Sequence, residues 1–246
     1  MLVVNADDWG RSVAETDVAL ECYRESRISS ASAMMFMRDS ERAAELAKEH
    51  GLEVGLHLNF SEAFTGGSCS EILSGQHKPV VRFLRSSKYA QLIYNPFLKS
   101  AFAYCYQAQV DEFIRLFGKS PRRVDGHHHM HLCANVLLAK LIPASTMVRR
   151  NFSFWPGEKS WLNRSYRRLV DRWLSRRYRL TDYFFDLTQC MSNGKMNRVL
   201  QLAQSGDVEL MVHPINPREA EYLMSDEFRG VLQRLELQTH ALTRQV

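Results

Sequence analysis

Short apolar runs and longer amphipathic stretches alternate along this chain. The runs at 2–6, 54–59 and 208–213 are rich in apolar residues, as is typical of strands buried in a parallel sheet. Stretches such as 13–24 and 102–117 carry apolar residues at helical spacing, which predicts amphipathic helices between the strands. Repeated strand–helix units favour a parallel sheet with helices outside it, either as a barrel or as a doubly wound sheet.

Glycines and polar clusters indicate where these elements end. Gly51 and Gly118 directly follow periodic stretches and predict two helix ends. Residues 60–95 have weak periodicity and several Gly and Ser residues, which predicts a long loop that serves as a lid or an insertion. Residues 123–132 are interpreted as one continuous strand. We treat residues 1–246 as a single domain, because an α/β barrel commonly has roughly 250 residues.

The composition places the chain among ordinary globular proteins. Hydrophobic residues make up 45% and charged residues 24%, which allows a sizeable core. The apolar runs are shorter than the roughly 20 residues that cross a bilayer, and the N-terminus does not have the pattern of a secretory leader. The five cysteines are scattered, so we expect reduced thiols and a cytoplasmic protein.

The net charge of +5 is concentrated in one segment. Residues 149–182 hold ten basic and three acidic residues, which gives this segment a charge of +7. Arg149 and Trp155 are candidates to bind a substrate, since arginine pairs with anionic groups and aromatic rings stack on sugars. The alternative is a solvated helix face at 160–177, whose arginine stems cover apolar surface. Nucleic-acid binding by this segment is not expected, because it would leave the histidines of the chain unexplained.

Polar residues follow several of the predicted strands. Asp7 and Asp8 end the first strand, His57 lies near the end of the third, and His213 ends the last. Since α/β folds place their chemistry at the carboxyl ends of parallel strands, these side chains predict one site. Taken singly, the aspartates fit a turn or a helix cap, and each histidine fits a hydrogen-bonded core position.

The run at 125–131 adds the strongest signal. In an extended strand Asp125, His127, His129 and His131 would share one face, where their burial would be costly without partners. A metal ion or a proton-transfer network would provide such partners. Histidine with carboxylate favours Zn²⁺, Mg²⁺ or Mn²⁺, and three protein ligands with an open position are typical of a catalytic site.

Five motifs, in this order, resemble the YdjC-like carbohydrate deacetylases. They are the stretches VNADDWG at 4–10, ISSAS at 28–32, VGLHL at 54–58, VDGHHHMH at 124–131 and VHP at 212–214. This resemblance implies a single-domain α/β fold, a distorted TIM-like (β/α) barrel of parallel strands with outer helices. It also implies removal of an acetyl group from an N-acetylated amino sugar, with one divalent ion (Mg²⁺ or Zn²⁺) as cofactor, in a homodimer.

The resemblance also assigns roles residue by residue. Asp8, His57 and His127 match the metal ligands. Asp7 matches the general base, and His213 matches a general acid or an oxyanion partner. Asp125 and His129 are expected to orient the ligands from behind.

The sequence departs from the family pattern in three places. Trp9 stands where phenylalanine is usual, and Ile215 follows Pro214 where a small residue is common. The segment 149–182 lies outside the shared motifs and leaves the sugar open, so a nucleotide-linked sugar or a glycolipid met at a membrane surface stays an alternative. A sugar-binding module without turnover, another metal-dependent amidohydrolase and a phosphoesterase are the competing functions.

Overall fold

The structure is a computed structural model that describes residues 1–155, 157–191 and 194–243. The strands are β1 (Leu2–Trp9), β2 (Ser30–Ala33), β3 (Glu53–Leu58), β4 (Arg123–Gly126), β5 (Met147–Val148), β6 (Tyr183–Asp186) and β7 (Val208–Val212). The helices are α1 (Val13–Arg24), α2 (Ser40–His50), α3 (Glu71–Arg85), α4 (Lys99–Phe117), α5 (Ala134–Leu138), α6 (Trp161–Leu174), α7 (Leu187–Cys190), α8 (Lys195–Ser205), α9 (Pro217–Met224) and α10 (Asp226–Thr243). Among the described residues, no helix is both long enough and apolar enough to cross a bilayer.

The strands form a seven-stranded sheet in the order β5-β4-β3-β2-β1-β7-β6. Read in the other direction the order is β6-β7-β1-β2-β3-β4-β5, which is the cyclic strand order of a TIM-type fold opened between β5 and β6. The pairings of β1 with β7, β3 with β4, β4 with β5 and β6 with β7 are all parallel. The parallel pairing of these strands confirms the predicted parallel α/β sheet.

The chain folds into two compact units, and the prediction of a single domain stays a prediction. The first unit contains Met1–Ala6, Asp17–Ser30 and the chain from Arg149 onward. Its strands β1 and β7 run in register from Leu2 with Val208 to Ala6 with Val212. Most of the paired positions are apolar, the exceptions being Asn5 and Glu209, and most are buried, so this pair of strands forms the centre of the unit's core.

The second unit contains Asp7–Thr16 and Ala31–Val148. Its core includes the wholly buried side chains of Trp9, Phe60 and Phe102. The Trp9 indole Nε1–H donates to the carbonyl oxygen of Ala43 at 3.0 Å, so the polar atom of this buried ring has a partner. The indole thereby ties the end of β1 to helix α2.

Several predicted helices are confirmed. Helix α1 has the predicted bounds, and α2 and α4 end where their glycines predict. Gly51 and Gly118 both adopt φ of 68°, the left-handed conformation that glycine tolerates without strain from a Cβ atom.

The prediction of a long loop over 60–95 is wrong, because 71–85 form helix α3. The Ser70 hydroxyl accepts a hydrogen bond from the backbone N–H of Leu73 and begins the helix. The buried face of α3 carries Leu73, His77, Val80 and Leu84, which keeps helical spacing across Pro79. Gly75 and Pro79 lower the helix propensity of this stretch, so the sequence pattern indicated a helix only weakly. Packing of the buried face of α3 against α4 nevertheless stabilises the helix.

The prediction of a continuous strand over 123–132 is also wrong. Strand β4 ends at Gly126, and His127–Leu132 form a tight 3-10 segment. His128 and His129 have φ of 52° and 59°, which is incompatible with an extended strand. The side chains of Asp125, His127, His129 and His131 therefore do not share one face of a strand, contrary to the expectation from the sequence.

Candidate active site

Three buried side chains converge in the second unit: Asp8 at the end of β1, His57 in β3 and His127 directly after β4. The Asp8 Oδ1 atom lies 2.9 Å from His127 Nδ1 and 3.4 Å from His57 Nε2. The imidazole rings of His57 and His127 meet edge to face, with centroids 5.7 Å apart. The three residues predicted as metal ligands are thus brought together.

The distances from Asp8 to the two histidines fit a shared metal ion. Zinc–ligand bonds are about 2.0–2.2 Å long for nitrogen and oxygen, so two ligand atoms at right angles or tetrahedral angles lie about 3.0–3.4 Å from one another. The separations of 2.9 Å and 3.4 Å to Asp8 Oδ1 are close to that range. Two imidazoles are typical ligands of Zn²⁺, and a carboxylate binds both Zn²⁺ and Mg²⁺.

A chain of hydrogen bonds fixes the orientation of His57. Its Nδ1 atom lies 2.7 Å from Asp125 Oδ1, and the Ser32 hydroxyl donates to Asp125 Oδ2 at 2.6 Å. The guanidinium of Arg123 donates in turn to the Ser32 oxygen at 3.1 Å. A carboxylate behind a ligating histidine sets the tautomer and increases the basicity of the ligand. The hydrogen bond from His57 is compatible with this role for Asp125, and the role stays a prediction.

With Nδ1 bonded to Asp125, the His57 Nε2 atom faces two carboxylates. It lies 3.4 Å from Asp8 Oδ1 and 4.0 Å from Asp7 Oδ2. Burial by itself lowers the pKa of His57, but Asp7, Asp125 and the hydrogen bonds raise this pKa to about 10. A lone pair directed at carboxylates requires either a proton or a cation, and a metal ion would take the place of that proton.

The carboxylates in this cluster outnumber the arginines beside them. Burial acts to raise the pKa of Asp8, yet hydrogen bonds to His127 and His57 lower it well below its usual value, so the carboxylate is ionised. Asp7 and Asp125 are also buried. Arg11 Nη1 lies 4.0 Å from Asp8 Oδ2 and offsets part of this charge. A divalent cation would offset the remainder.

The backbone at the end of β1 is bent to present Asp8. Its φ is 64°, in the left-handed region that non-glycine residues seldom adopt. The next residues make a turn in which the Arg11 N–H donates to the Asp8 carbonyl oxygen at 3.1 Å, and Gly10 has φ of 84°. Strained backbone of this kind occurs at functional sites, where the surrounding structure must enforce it.

The 3-10 segment after β4 positions His127 at the cluster. It needs glycine at 126, since a Cβ atom there would lie 2.9 Å from the backbone nitrogen of His131 and 3.1 Å from the carbonyl oxygen of Leu58. The His128 ring lies over His127 with centroids 4.0 Å apart, and its Nδ1 is 3.0 Å from the Ser61 hydroxyl. His128 therefore packs beside the cluster.

Glu62 and Arg11 were missed by sequence reasoning. Glu62 Oε2 lies 3.0 Å from His127 Nε2 and 3.0 Å from Arg11 Nε. Glu62 is partly exposed, so the carboxylate stands at the open side of the cluster. Its position four residues after β3, at the same end as Asp8, was the signal available in the sequence.

Asn59 holds the loop that carries Glu62. Its side-chain oxygen accepts from the Glu62 N–H at 2.9 Å, and its side-chain nitrogen donates to the Glu62 carbonyl oxygen at 2.8 Å. Its own backbone N–H donates to Gln109 of α4 at 2.7 Å, and its carbonyl oxygen lies 2.9 Å from His77 Nε2 of α3. Helices α3 and α4 thus anchor the loop after β3.

His213 lies in the first unit, directly after β7. Its backbone N–H donates to Glu219 Oε2 at 2.6 Å, and the Thr188 hydroxyl donates to Glu219 Oε1 at 2.5 Å. Burial raises the pKa of Glu219, which these hydrogen bonds oppose. The carboxylate of Glu219 thereby fixes the backbone that carries His213.

Arg149 and Trp155 also belong to the first unit. Arg149 is wholly buried and its Nε and Nη2 atoms both lie 2.8 Å from Glu209 Oε1, so it is a core ion-pair partner and the prediction that it faces a substrate is wrong. Trp155 stacks on Phe185 with centroids 5.1 Å apart, and its role toward a sugar stays a prediction. His129 is partly exposed and its predicted orienting role likewise stays a prediction.

The parallel topology and the strand-end cluster define an α/β protein of TIM-like strand order with a candidate metal site. Residues 1–234 match the model of the YdjC-like protein family, so the chain belongs to that family. This confirms the resemblance expected from the five motifs.

The relatives are named as deacetylases. The mouse protein named carbohydrate deacetylase is 28% identical over 88% of this chain and 78% of its own length. The human protein of that name is likewise 28% identical, over 88% of this chain and 75% of its own length. The chitooligosaccharide deacetylase of Serratia marcescens is 29% identical over 54% of this chain and 51% of its own length.

A solved structure shares the fold. The protein from Enterococcus faecalis V583, described as a proposed cellobiose-phosphate cleavage protein, aligns with a TM-score of 0.61 over 95% of this chain and 94% of its own. The identity is 18%, so the likeness concerns the fold alone. It confirms the predicted fold class.

Proposed function

We propose that this protein is a metal-dependent hydrolase that removes the acetyl group from an N-acetylated amino sugar. The convergence of Asp8, His57 and His127, with the buried Asp7 beside them, is the observation that carries the proposal. The names of the relatives support the acetyl group and the sugar. The donor set supports a single divalent ion, Mg²⁺ or Zn²⁺.

A divalent ion held by the three ligands would polarise the acetyl carbonyl group and increase the acidity of a water molecule. Asp7 is buried, and its Oδ2 lies 4.0 Å from His57 Nε2. Its carboxylate is therefore next to the three ligands but is not one of them. This carboxylate accepts the proton of the attacking water as its oxygen bonds to the acetyl carbon. The carbon–nitrogen bond then breaks, the nitrogen takes a proton, and acetate and a free amino sugar leave.

His213 is proposed as the donor of the proton to the departing nitrogen. It follows a parallel strand at its carboxyl end, where catalytic residues of such folds are found. The Glu219 hydrogen bond to its backbone would hold it in place. The variant His213→Gln should lose turnover and keep metal affinity, whereas an unchanged rate would remove His213 from the mechanism.

The experiment is an acetate-release assay on N-acetylated chitooligosaccharides and on lipid- and nucleotide-linked N-acetylated sugars. Asp7→Asn should keep the metal and lose about 100-fold or more of the rate, since a general base contributes about 10²–10⁴. The matched variant Asp111→Asn changes an exposed aspartate of α4 and should keep the full rate. Release of phosphate without acetate, or full activity of Asp7→Asn, would refute the proposal.

Three further expectations remain part of this proposal. The homodimer and the contact with a membrane glycolipid rest on the family resemblance and on the basic segment. The cytoplasmic location rests on the sequence composition. Light scattering, vesicle co-sedimentation and cell fractionation measure them independently of the acetate assay.

A further inference from the structure

A cavity of about 200 Å³ lies among residues between Arg150 and Leu202, and none of the candidate metal ligands lines it. Its wall includes four arginines and two aspartates together with aromatic rings. The arginines are Arg150, Arg164, Arg167 and Arg168. All of these residues belong to the first unit.

Helix α6 turns its arginines toward the cavity and its apolar side outward. Leu162 and Leu169 are 70% and 68% exposed, although the apolar face of an amphipathic helix normally covers the core. Arg164, Arg167 and Arg168 lie three and four residues apart, so they share the other face of the helix and reach the cavity together. This orientation is the reverse of the usual one and needs a physical reason.

The aspartates of the wall do not neutralise these arginines. Asp171 pairs with Arg150, whose Nε and Nη2 atoms lie 3.1 Å and 2.8 Å from its Oδ2. The other oxygen of Asp171 accepts from the backbone and side-chain nitrogens of Asn151 at 3.0 Å and 2.8 Å. Asp182 accepts from the backbone N–H of Asp207 at 2.8 Å. The positive charge of the α6 arginines is therefore in excess.

The side chains of the α6 arginines have few partners of opposite charge. Arg167 lies over the Phe154 ring at 5.1 Å and donates from Nε to Asn163 Oδ1 at 2.9 Å. Burial lowers the pKa of Arg167, and the nearby charge of Asp171 opposes this shift only in part, so the charge of Arg167 carries a desolvation cost in the folded protein. Among the residues that the structure describes, no carboxylate forms an ion pair with Arg164 or Arg168. An anion in the cavity would satisfy all three guanidinium groups.

Aromatic rings form another part of the wall. Trp155 and Phe185 stack with centroids 5.1 Å apart and planes at 9°, and Phe185 and Tyr183 lie 6.3 Å apart at 8°. Parallel rings of this kind offer flat apolar surface to a ring of a ligand. The volume is below the roughly 300–1,000 Å³ of sites for drug-sized molecules, so the occupant is small.

We propose that this cavity binds a phosphate ester of a single ring, with the phosphate on Arg164, Arg167 and Arg168 and the ring against the aromatic wall. Guanidinium groups bind phosphate through paired, charge-assisted hydrogen bonds, and three of them match the several oxygens of a phosphate better than the two of a carboxylate. The inference does not depend on the proposed deacetylation, because it concerns other residues and a binding event that needs no metal.

The test is calorimetric titration of the full-length chain with four probes: inorganic phosphate, glucose 6-phosphate, phenyl phosphate and glucose. We expect saturable binding of both esters, weaker binding of inorganic phosphate, and no binding of glucose. The tighter of the two esters identifies a sugar or an aromatic ring as the partner of the wall. Binding should weaken when salt is raised from 50 to 200 mM.

The double variant Arg164→Gln/Arg168→Gln should weaken ester binding at least about tenfold. The matched variant Arg172→Gln changes an exposed arginine of the same helix that does not line the cavity, and its affinity should stay within about twofold of the wild type. Thermal unfolding of all three proteins verifies that they fold. The proposal would be overturned if neither ester bound saturably, if glucose bound as tightly as the esters, or if Arg172→Gln lost as much affinity as the double variant. Acetate release, measured in parallel, keeps this result separate from the deacetylase test.

Discussion

The carboxylate behind His57 allows a quantitative test of how the metal site is built. Asp125 is wholly buried, accepts from His57 Nδ1 at 2.7 Å and is held by Ser32 at 2.6 Å. In Asp125→Asn the amide oxygen can still accept from Nδ1, so the ring orientation survives while the negative charge is lost. In Asp125→Ala both are lost and Nδ1 is left buried without its partner.

The expected magnitude follows from this difference. Loss of a residue that supports a metal ligand typically costs 10–100-fold in metal affinity. We therefore expect about 10-fold weaker binding in Asp125→Asn and about 100-fold in Asp125→Ala, equivalent to about 1.4 and 2.7 kcal/mol. Ser32→Ala, which only loosens the carboxylate, should cost less than Asp125→Asn.

The assay is competition between the protein and a chromophoric chelator for Zn²⁺ at pH 7. Asp111→Asn is the matched control, because it makes the same chemical change at an exposed position of α4 whose carboxylate pairs only locally with Gln107. Wild-type affinity in Asp125→Ala would refute the supporting role of Asp125. An equal loss in the control would show that the effect is not specific to the site.

Three other predictions concern stability, measured by denaturant unfolding. Gly126→Ala places a Cβ atom 2.9 Å from the backbone nitrogen of His131 and should destabilise the protein by about 1–3 kcal/mol. Gly75→Ala adds a Cβ atom in open space on a helix and should leave the stability unchanged or increase it. Equal effects of the two variants would contradict the crowding at Gly126. Arg149→Met leaves Glu209 buried without its guanidinium and should cost about 3–5 kcal/mol, and a neutral result would show that the pair is not needed. Burial lowers the pKa of His77 from 6.5, so the neutral form of this histidine stabilises the fold above that pH. The stability difference between wild type and His77→Gln should therefore shrink as the pH falls from about 8 to 5. A difference that stays constant with pH would contradict this effect of burial.

Much of the second unit could be predicted from local sequence. Helices α2 and α4 end at the glycines that the pattern predicts, although α4 begins at Lys99 and not at 102. Helix α1, which is divided between the two units, has the predicted bounds. Asp8, His57 and His127 were found because each stands at a strand end and within a family motif. Their convergence depends on the parallel topology, which the repeated strand–helix pattern already favoured.

The failures have identifiable physical causes. The turn after Gly126 depends on positive φ at His128 and His129, which residue type does not signal. Helix α3 contains Gly75 and Pro79, so tertiary packing overrides a poor local propensity.

A long-range contact explains the error at Arg149. Arg149 pairs with Glu209, sixty positions along the chain, and no local pattern contains that partner. The spacing in α6 predicts an apolar face and a basic face, but it does not specify which of them is covered.

We propose that deacetylation requires one divalent ion held by Asp8, His57 and His127. The most direct measurement is acetate release from an N-acetylated chitooligosaccharide after chelator treatment and after return of one equivalent of Zn²⁺ or Mg²⁺. We expect activity to disappear with the chelator, to return with one equivalent of the ion in the wild type, and not to return in Asp8→Asn. Full acetate release by the verified metal-free wild type would contradict it.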